Sequence, residues 1–230
     1  MEYRLALIVG AGSGLSASLA RLFARHNLQV ALASRHPDRL HALCAETGAA
    51  SFACEATEPE EVAGLFDAVV ASLGEPDVVV YNAAARARGP LTTLVPEEVA
   101  RALAVSAFGG FLVAQQAARL MVPKEAGAIL FTGASASVKG YPQSAAFAMG
   151  KFALRGLAQS MARELSPKGV HVAHFVIDGG IRGAARPEPA EAPDSLLDPD
   201  AIAETYWHVM HQKRSAWSWE VELRPWVERF

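Results

Sequence analysis

The sequence predicts an α/β fold: a single doubly wound, parallel-sheet Rossmann domain with helices on both faces. Short apolar runs alternate along the chain with longer segments of helical periodicity. Runs such as Val78-Val79-Val80 are continuously apolar, which is typical of strands buried on both faces of a sheet. The chain has 230 residues, enough for a sizeable core, so we expect one domain over residues 1–230.

The strands and helices are predicted to alternate in a regular order. Strands are expected near residues 4–9, 28–33, 50–54, 77–81, 127–132, 170–176 and 219–223. Helices are expected between them, near 14–26, 37–47, 58–72, 96–120, 144–166 and 199–212. The segment near 96–120 is rather apolar, but Arg101, Gln115 and Gln116 interrupt it, so a buried helix is favoured over a membrane span.

The last third of the chain contains two unusual segments. Residues 182–199 hold four prolines, which exclude a regular helix throughout. We interpret them as a substrate lid, with a passive linker as the alternative. Residues 200–230 are expected to form a helix, a strand and a tryptophan-rich tail, since all four tryptophans fall there. Those aromatics would wall a substrate pocket, seal a subunit contact or simply pack in the core.

Composition excludes several classes of partner. The chain carries 21 Lys and Arg against 24 Asp and Glu, so neither a nucleic-acid patch nor a basic membrane anchor is indicated. Cys44 and Cys54 form no disulfide framework and lack metal-ligand spacing. The first residues lack the basic start and cleavage site of a signal peptide. We therefore expect a cytoplasmic protein whose partner is a small-molecule substrate.

Histidine spacing does not suggest a metal site. His171 and His174 lie three residues apart on a predicted strand and so point to opposite faces of the sheet. His208 and His211 share a helix face, but no third ligand is evident beside them. We expect no bound metal.

A glycine-rich loop follows the first predicted strand. It reads Gly10-Ala11-Gly12-Ser13-Gly14-Leu15-Ser16 and leads into a helix. Glycines let a backbone approach a pyrophosphate closely, and the helix N-terminus offers N–H groups to the anion. At the start of a βαβ series this pattern indicates a dinucleotide site formed by Gly10, Gly12, Ser13, Gly14 and Leu15. The alternative is a turn that binds no ligand.

The end of the second strand bears on the choice of dinucleotide. An acidic residue at this position would bind an adenosine ribose diol and repel a 2′-phosphate. This chain has Ser34 and Arg35 instead, and a guanidinium can grip a phosphate with two N–H groups. The sequence therefore favours NADP(H) over NAD(H), unless Arg35 is merely a solvated loop charge.

The segment Phe147-Ala148-Met149-Gly150-Lys151 completes the pattern. With the glycine loop, it resembles the short-chain dehydrogenase/reductase family, whose members carry Tyr-x-x-x-Lys here and Gly-x-x-x-Gly-x-Gly in the loop. The resemblance covers residues 4 to about 181. The third glycine is replaced by Ser16, whose hydroxyl would be free to contact a phosphate.

The resemblance implies further cofactor contacts. Glu55, with Ala56, stands near the place of the Asp that usually lies by the adenine. Asn82-Ala83-Ala84 resembles the family's Asn-Asn-Ala-Gly, and Asn82 would brace the sheet. Gly179 and Ile181 belong to a loop that replaces the usual Pro-Gly beside the nicotinamide.

The resemblance also shows an altered catalytic set. Family members use a Tyr as acid/base, a Lys that lowers its pKa and binds ribose, a Ser that polarises the substrate oxygen and an Asn in a proton relay. Here only Lys151 is kept. Phe147 replaces the Tyr, Ser106 takes the Asn position, and Ala134 takes the Ser position with Ser135 beside it. Tyr141 is a candidate substitute acid, with packing or substrate contact as the alternative.

These observations leave three functional hypotheses. The first is an NADP(H)-dependent oxidoreductase that acts on a small carbonyl or alcohol with a degenerate tetrad. The second is a catalytically impaired NADP(H)-binding pseudoenzyme that acts as a sensor or interaction subunit. The third is an enzyme whose substrate or a water supplies the proton. By the same resemblance we expect a homodimer or homotetramer that pairs the helices near 96–120 and 144–166.

Overall fold

The chain folds around a seven-stranded sheet in which all strands run parallel. The structure, a computed structural model, describes residues 2–228. The strands are β1 (Leu5–Val9), β2 (Gln29–Ser34), β3 (Ala50–Ala53), β4 (Val78–Tyr81), β5 (Ala128–Thr132), β6 (His171–Ile177) and β7 (Glu220–Leu223). Their order is β3-β2-β1-β4-β5-β6-β7, so the predicted doubly wound Rossmann sheet is confirmed.

Helices cover both faces of this sheet. They are α1 (Leu15–Arg25), α2 (His41–Thr47), α3 (Pro59–Leu73), α4 (Pro96–Leu103), α5 (Gly109–Met121), α6 (Ala145–Leu165) and α7 (Pro199–Met210). Side chains of α1, α2 and α7 form the core on one face, and those of α3, α5 and α6 form it on the other. The segment predicted as one helix at 37–47 opens with a 3₁₀ turn, Pro37–Leu40, before α2.

The helix expected over 96–120 is interrupted by a π-helical turn, Ala104–Phe108, between α4 and α5. The Tyr81 hydroxyl donates a hydrogen bond to the carbonyl of Val105 in this turn. Gly109 follows, and a Cβ there would lie 2.5 Å from the Tyr81 oxygen and 2.7 Å from the Ala56 carbonyl. The π-helical turn widens the helix at this close contact, so the Val105 carbonyl can accept a hydrogen bond from Tyr81. The sequence pattern gives no sign of this contact, because Tyr81 lies on another element.

The stretch Pro96–Lys124 is also long and apolar enough to cross a membrane, judged by length and composition alone. That is weak evidence, because core helices of soluble domains pass the same test. In this fold Leu112, Val113, Ala117 and Met121 of α5 are buried in the core. These contacts account for the apolar pattern.

The tryptophans of the C-terminal segment mostly pack against other elements. Trp207 stacks on His26 with ring centres 4.0 Å apart, and Trp217 stacks on His171 at 4.6 Å. Trp219 lies under the Arg155 guanidinium, whereas Trp226 is exposed. Residues 229 and 230 of the predicted tail lie outside the described residues.

The loop over residues 182–199 is organised around Arg182. This arginine forms ion pairs with Glu188, at 3.3 Å, and with Asp198. A bridge between Ile181 and Leu197 closes the base of the loop. Its role as a lid stays a prediction.

Candidate functional site

Loops that follow six of the parallel strands meet at the carboxyl edge of the sheet and enclose two adjoining cavities. The first, of about 220 Å³, we call the Arg35 cavity; it is lined by Val9, Gly10, Ala11, Ser34, Arg35, Cys54, Glu55, Ala56, Asn82, Ala83, Ala84 and Val105. The second, of about 290 Å³, we call the Lys151 cavity; it is lined by Asn82, Ala84, Arg86, Thr132, Gly133, Ala134, Phe147, Lys151, Ile177, Gly179, Ile181 and Arg186. A parallel sheet brings such residues together because its strands all end on the same side.

The glycine loop lies against the loop after β4. Gly10 has a φ of +83°, and a Cβ there would lie 2.4 Å from the backbone nitrogen of Ala83. Only glycine fits this position without displacing backbone. At Gly12 and Gly14, by contrast, a Cβ would meet no other atom within 4 Å, so both face open space. That space, at the N-terminus of α1, suits the anionic group of a dinucleotide.

Ser16 has a different role from the one expected. Its hydroxyl is buried, donates to the Gly10 carbonyl at 3.3 Å and accepts from the Asn82 amide at 2.6 Å. The expectation that it is free to contact a phosphate is therefore wrong, because the fold uses it internally. The same contact shows Asn82 tying the end of β4 to the glycine loop, as predicted for a bracing residue.

Arg35 and Glu55 face each other across the Arg35 cavity. Their closest side-chain atoms are 3.8 Å apart, and the Arg35 side chain is about half exposed. An exposed pair at this distance is weak. The guanidinium is therefore only weakly tied to a carboxylate that a bound phosphate could displace.

Lys151 is buried, and no carboxylate among residues 2–228 pairs with it. It is 2 % exposed, and its ammonium donates a hydrogen bond of 2.6 Å to the carbonyl of Thr132, the last residue of β5. Burial lowers the pKa of Lys151 to about 7, and repulsion from Arg86 acts in the same direction. Near neutral pH this lysine can therefore gain or lose a proton.

Phe147 lies one helical turn before Lys151, as the sequence predicts. Its ring is 9 % exposed and lines the same cavity. The Lys151 nitrogen lies 5.9 Å from the ring centre, and the central carbon of the Arg86 guanidinium lies 4.2 Å from it. The ring contacts both cations through its π face and has no proton to transfer.

The other predicted catalytic residues lie outside this cavity. Ser106 is buried in the π-helical turn, where its hydroxyl accepts from the Ala85 backbone at 3.5 Å. Ser135 turns to the Asp178 carboxylate, and Tyr141 is 44 % exposed near Lys139. None of the three is among the described residues that line the Lys151 cavity. Their catalytic roles stay predictions.

Sequence reasoning missed two arginines. Arg86, four residues after Asn82, and Arg186, in the loop 182–199, both line the Lys151 cavity. The position of Arg86 just beyond a parallel strand was an available signal, since such loops form ligand sites. No sequence pattern pointed to Arg186, because its approach to the cavity depends on how the long loop 182–199 folds back.

A buried polar chain lies behind the cavity and serves the fold. His174 contacts the Ser137 hydroxyl at 3.3 Å and the Glu220 carboxylate at 3.1 Å, and Glu220 accepts two hydrogen bonds from Arg155. Burial lowers the pKa of His174 to about 4 despite the nearby carboxylate, so the imidazole is neutral at pH 7. The chain connects the turn after β5 with β6, β7 and α6, and none of its members is among the described residues that line the cavity.

Comparison with known proteins identifies the family. The family model described as "short chain dehydrogenase" matches residues 4–186. This chain belongs to the short-chain dehydrogenase family. The match covers both cavities, including the glycine loop, Lys151 and Arg186.

Solved structures resemble this chain over nearly its whole length. A short-chain dehydrogenase from Rhodopseudomonas palustris is 32% identical, with a TM-score of 0.84 over 98% of this chain and 100% of that one. An alcohol dehydrogenase from the archaeon Thermococcus sibiricus, in complex with 5-hydroxy-NADP, is 26% identical, with a TM-score of 0.86 over 99% of each chain. These likenesses extend to the C-terminal segment that the family model leaves unmatched.

Curated relatives match about three quarters of the chain. Short chain aldehyde dehydrogenase 1 of Euphorbia lathyris is 31% identical over 178 residues, which is 75% of this chain and 62% of the relative. Momilactone A synthase of Oryza sativa is 35% identical over 176 residues, 74% of this chain and 64% of the relative. The matched part of this chain thus spans less than two thirds of these relatives.

We predict that replacing the buried lysine, Lys151→Met, changes the pH dependence of stability. The folded-state pKa of about 7 lies below that of an unfolded lysine, so the unfolded state binds more protons between about pH 7 and 10. The lysine should therefore destabilise the unliganded wild type most below pH 7, by a few kcal/mol at about 1.4 kcal/mol per pKa unit. Urea unfolding of both proteins at pH 6 and pH 9.5 measures this: the variant should be the more stable at pH 6, and its advantage should shrink at pH 9.5. A constant difference would show that Lys151 does not titrate in this range.

Proposed function

We propose that this protein is an NADP(H)-binding oxidoreductase that acts on a small carbonyl or alcohol compound with an altered catalytic set. The observation that supports it most is that Lys151 and the glycine loop lie along the same edge of the sheet. The cavities beside them adjoin and share the lining residues Asn82 and Ala84. A dinucleotide would lie with its adenosine half by Arg35 and its nicotinamide half by Lys151. When bound, the nicotinamide supplies hydride chemistry.

Two observations support NADP(H) as the cofactor. Arg35 is half exposed at the end of β2, and its carboxylate partner is 3.8 Å away, so the guanidinium is available to a 2′-phosphate. The relative from T. sibiricus was solved with 5-hydroxy-NADP, and a metagenomic short-chain oxidoreductase, 28% identical, was solved with NADP. Glu55 opposes the preference, because the same carboxylate would repel that phosphate.

We predict that Arg35 and Glu55 set the cofactor preference in opposite directions. Arg35→Asp should weaken NADP(H) binding by about 10-fold or more, the usual worth of a charge-assisted hydrogen bond. It should not weaken NAD(H) binding, because an acidic residue at this position can bind the ribose diol. Glu55→Gln should tighten NADP(H) binding by removing the competing carboxylate. Isothermal titration calorimetry of both cofactors to the wild type and the variants tests this, with Arg39→Asp as the charge control. Equal or tighter binding of NAD(H) by the wild type would refute the preference.

Carbonyl chemistry at this site has to proceed without a phenol. A positioned general acid contributes roughly 10²–10⁴-fold to a rate, or about 3–5 kcal/mol of barrier. Cofactor chemistry and proximity remain available without it. Lys151, with its pKa near neutrality, would bind the nicotinamide ribose and supply positive charge close to the reacting oxygen. A water or the substrate would then supply the proton.

A second candidate function is dinucleotide binding without turnover, in a sensor or interaction subunit. Thr132 carries the only side-chain hydroxyl among the described residues that line the Lys151 cavity. That hydroxyl is hydrogen-bonded to the buried Tyr206 at 2.9 Å. Neither the Ala134 nor the Phe147 side chain can donate a hydrogen bond to a substrate oxygen.

We predict that Phe147→Tyr raises carbonyl reduction, because it restores an acid beside Lys151. The gain is limited to about 10²–10⁴-fold and should be smaller here, since Ala134 and Ser106 leave the rest of the set incomplete. Single-turnover oxidation of NADPH with a panel of small ketones and aldehydes measures it, and Phe147→Leu serves as the control without a hydroxyl. Turnover by the wild type at an ordinary rate would show that another group replaces the phenol. No turnover by either protein would favour the binding subunit.

We also propose that the chain forms a homodimer or homotetramer through α5 and α6. Apolar side chains on these helices and on the turn between α4 and α5 are exposed; they are Phe108, Phe111, Met149 and Phe152. Exposed apolar patches of this kind mark association surfaces.

We expect the wild type to be at least dimeric in light scattering at micromolar concentration, and Phe152→Lys to shift it toward monomer. Leu91→Lys, which changes an exposed apolar residue elsewhere, should leave the mass unchanged. A monomeric wild type would contradict the assembly.

A further inference from the structure

The Lys151 cavity carries more positive charge than the proposed hydride chemistry requires. Arg86 approaches it from the loop after β4, Arg186 from the loop 182–199, and Lys151 from α6. No Asp or Glu is among the described residues that line it. Three cationic side chains therefore surround about 290 Å³ with no lining carboxylate to neutralise them.

The acidic residues near these loops are paired with other cations. Glu188 and Asp198 pair with Arg182, four residues before Arg186. Asp178, next to the cavity residue Gly179, pairs with Lys139 at 3.1 Å. Within residues 2–228 neither Arg86 nor Arg186 forms an ion pair with a carboxylate, so both are available to a ligand.

Arg86 is held in place by a neutral contact. Its guanidinium lies over the Phe147 ring, 4.2 Å from the ring centre, which positions the cation without neutralising it. Partial burial lowers the pKa of Arg86, and repulsion from Arg88 and Arg186 lowers it further. A bound anion would relieve this repulsion, and the N–H groups at the edge of the guanidinium suit an oxyanion.

Arg186 occupies space that a side chain at Gly180 would fill. A Cβ on Gly180 would lie 2.4 Å from a terminal nitrogen of Arg186, so the guanidinium packs directly over the Gly180 backbone. Gly180 follows β6 and belongs to the same loop as the cavity residues Gly179 and Ile181. The absence of a side chain at 180 thus lets Arg186 reach the cavity from a loop that is otherwise tied down by Arg182.

We propose that the Lys151 cavity selects carbonyl substrates that carry an oxyanion, a carboxylate or a phosphate, held by Arg86 and Arg186. The inference rests on the proposed function, because it places this anion beside the carbonyl that the cofactor reduces. The cavity of about 290 Å³ also has to admit the nicotinamide, which restricts the substrate to a few carbon atoms. Phe147 then serves as the platform for the guanidinium that binds substrate, a role that a phenyl ring performs without a hydroxyl.

Matched ligand pairs test the charge requirement. Calorimetry would compare 4-oxopentanoate with its neutral amide, and dihydroxyacetone phosphate with dihydroxyacetone, on the protein alone and on its complex with NADPH. We expect at least one anion of a pair to bind at least 10-fold more tightly than its neutral partner. A larger ratio of anion to neutral affinity for the 4-oxopentanoate pair would indicate a carboxylate site. A larger ratio for the dihydroxyacetone phosphate pair would indicate a phosphate site. Equal binding within both pairs overturns the proposal.

Matched variants test the two residues. Arg86→Gln and Arg186→Gln should each weaken the preferred anion by about 10- to 100-fold, the range for a hydrogen bond to a charged group, and leave the neutral partner unaffected. Arg88→Gln is the control, since Arg88 follows Arg86 closely and is not among the cavity residues. A loss as large in Arg88→Gln as in Arg86→Gln would mean that general charge, not this site, attracts the anion.

Cofactor binding separates this inference from the proposed function. If NADPH binds but the anions are not preferred, the anion site is wrong, whereas the proposed NADP(H) site is upheld and the oxidoreductase proposal is not affected. If NADPH does not bind but the arginine-dependent preference persists, the site stands as an anion site and the oxidoreductase proposal fails.

Discussion

The parallel direction of all seven strands is the constraint on which the rest of this structure depends. Because each strand ends on the same side of the sheet, the loops after β1 to β6 must meet there. The sheet is buried on both faces, so helices have to return the chain to the opposite edge each time. The cavities are therefore a product of the topology, and Gly10, which touches the loop after β4, marks where the two halves of the sheet come into contact.

Lys151 shows how this topology positions a charge that burial opposes. The ammonium reaches the last carbonyl of β5 from α6, and this hydrogen bond partly replaces the lost solvation. Gly150 lets α6 approach closely, since a Cβ there would lie 2.7 Å from the Cβ of Ser106 in the π-helical turn. The irregular turn, the glycine and the buried lysine thus form one packing arrangement. Its rigidity would hold the positive charge beside a bound nicotinamide ribose.

The replacement of a phenol by Phe147 changes the site in two ways. It removes a proton donor, and it leaves an apolar ring on which the Arg86 guanidinium lies. The cavity therefore lacks the hydroxyl groups of the family's Tyr and Ser, and its charged lining residues are Arg86, Lys151 and Arg186. If Arg86 and Arg186 hold an anionic substrate, binding energy from that group would help to orient the carbonyl, which is one way to offset a missing acid. Phe147 and Arg86 would then serve the same substrate specificity.

The sequence alone determined the elements, since apolar runs and helical periodicity are local signals, and every strand begins and ends within one residue of its predicted bounds. It also determined the glycine loop, Arg35 and the spacing of Phe147 and Lys151, because these depend on short motifs. Tertiary structure decided what no local pattern contains. The π-helical turn arises from contact with Tyr81, the hydroxyl of Ser16 is taken up by Asn82, and Arg186 reaches the cavity only because its loop folds back over Gly180. The first two join residues distant along the chain, and the third depends on the path of a long loop, so only packing could set which side chains face the cavity.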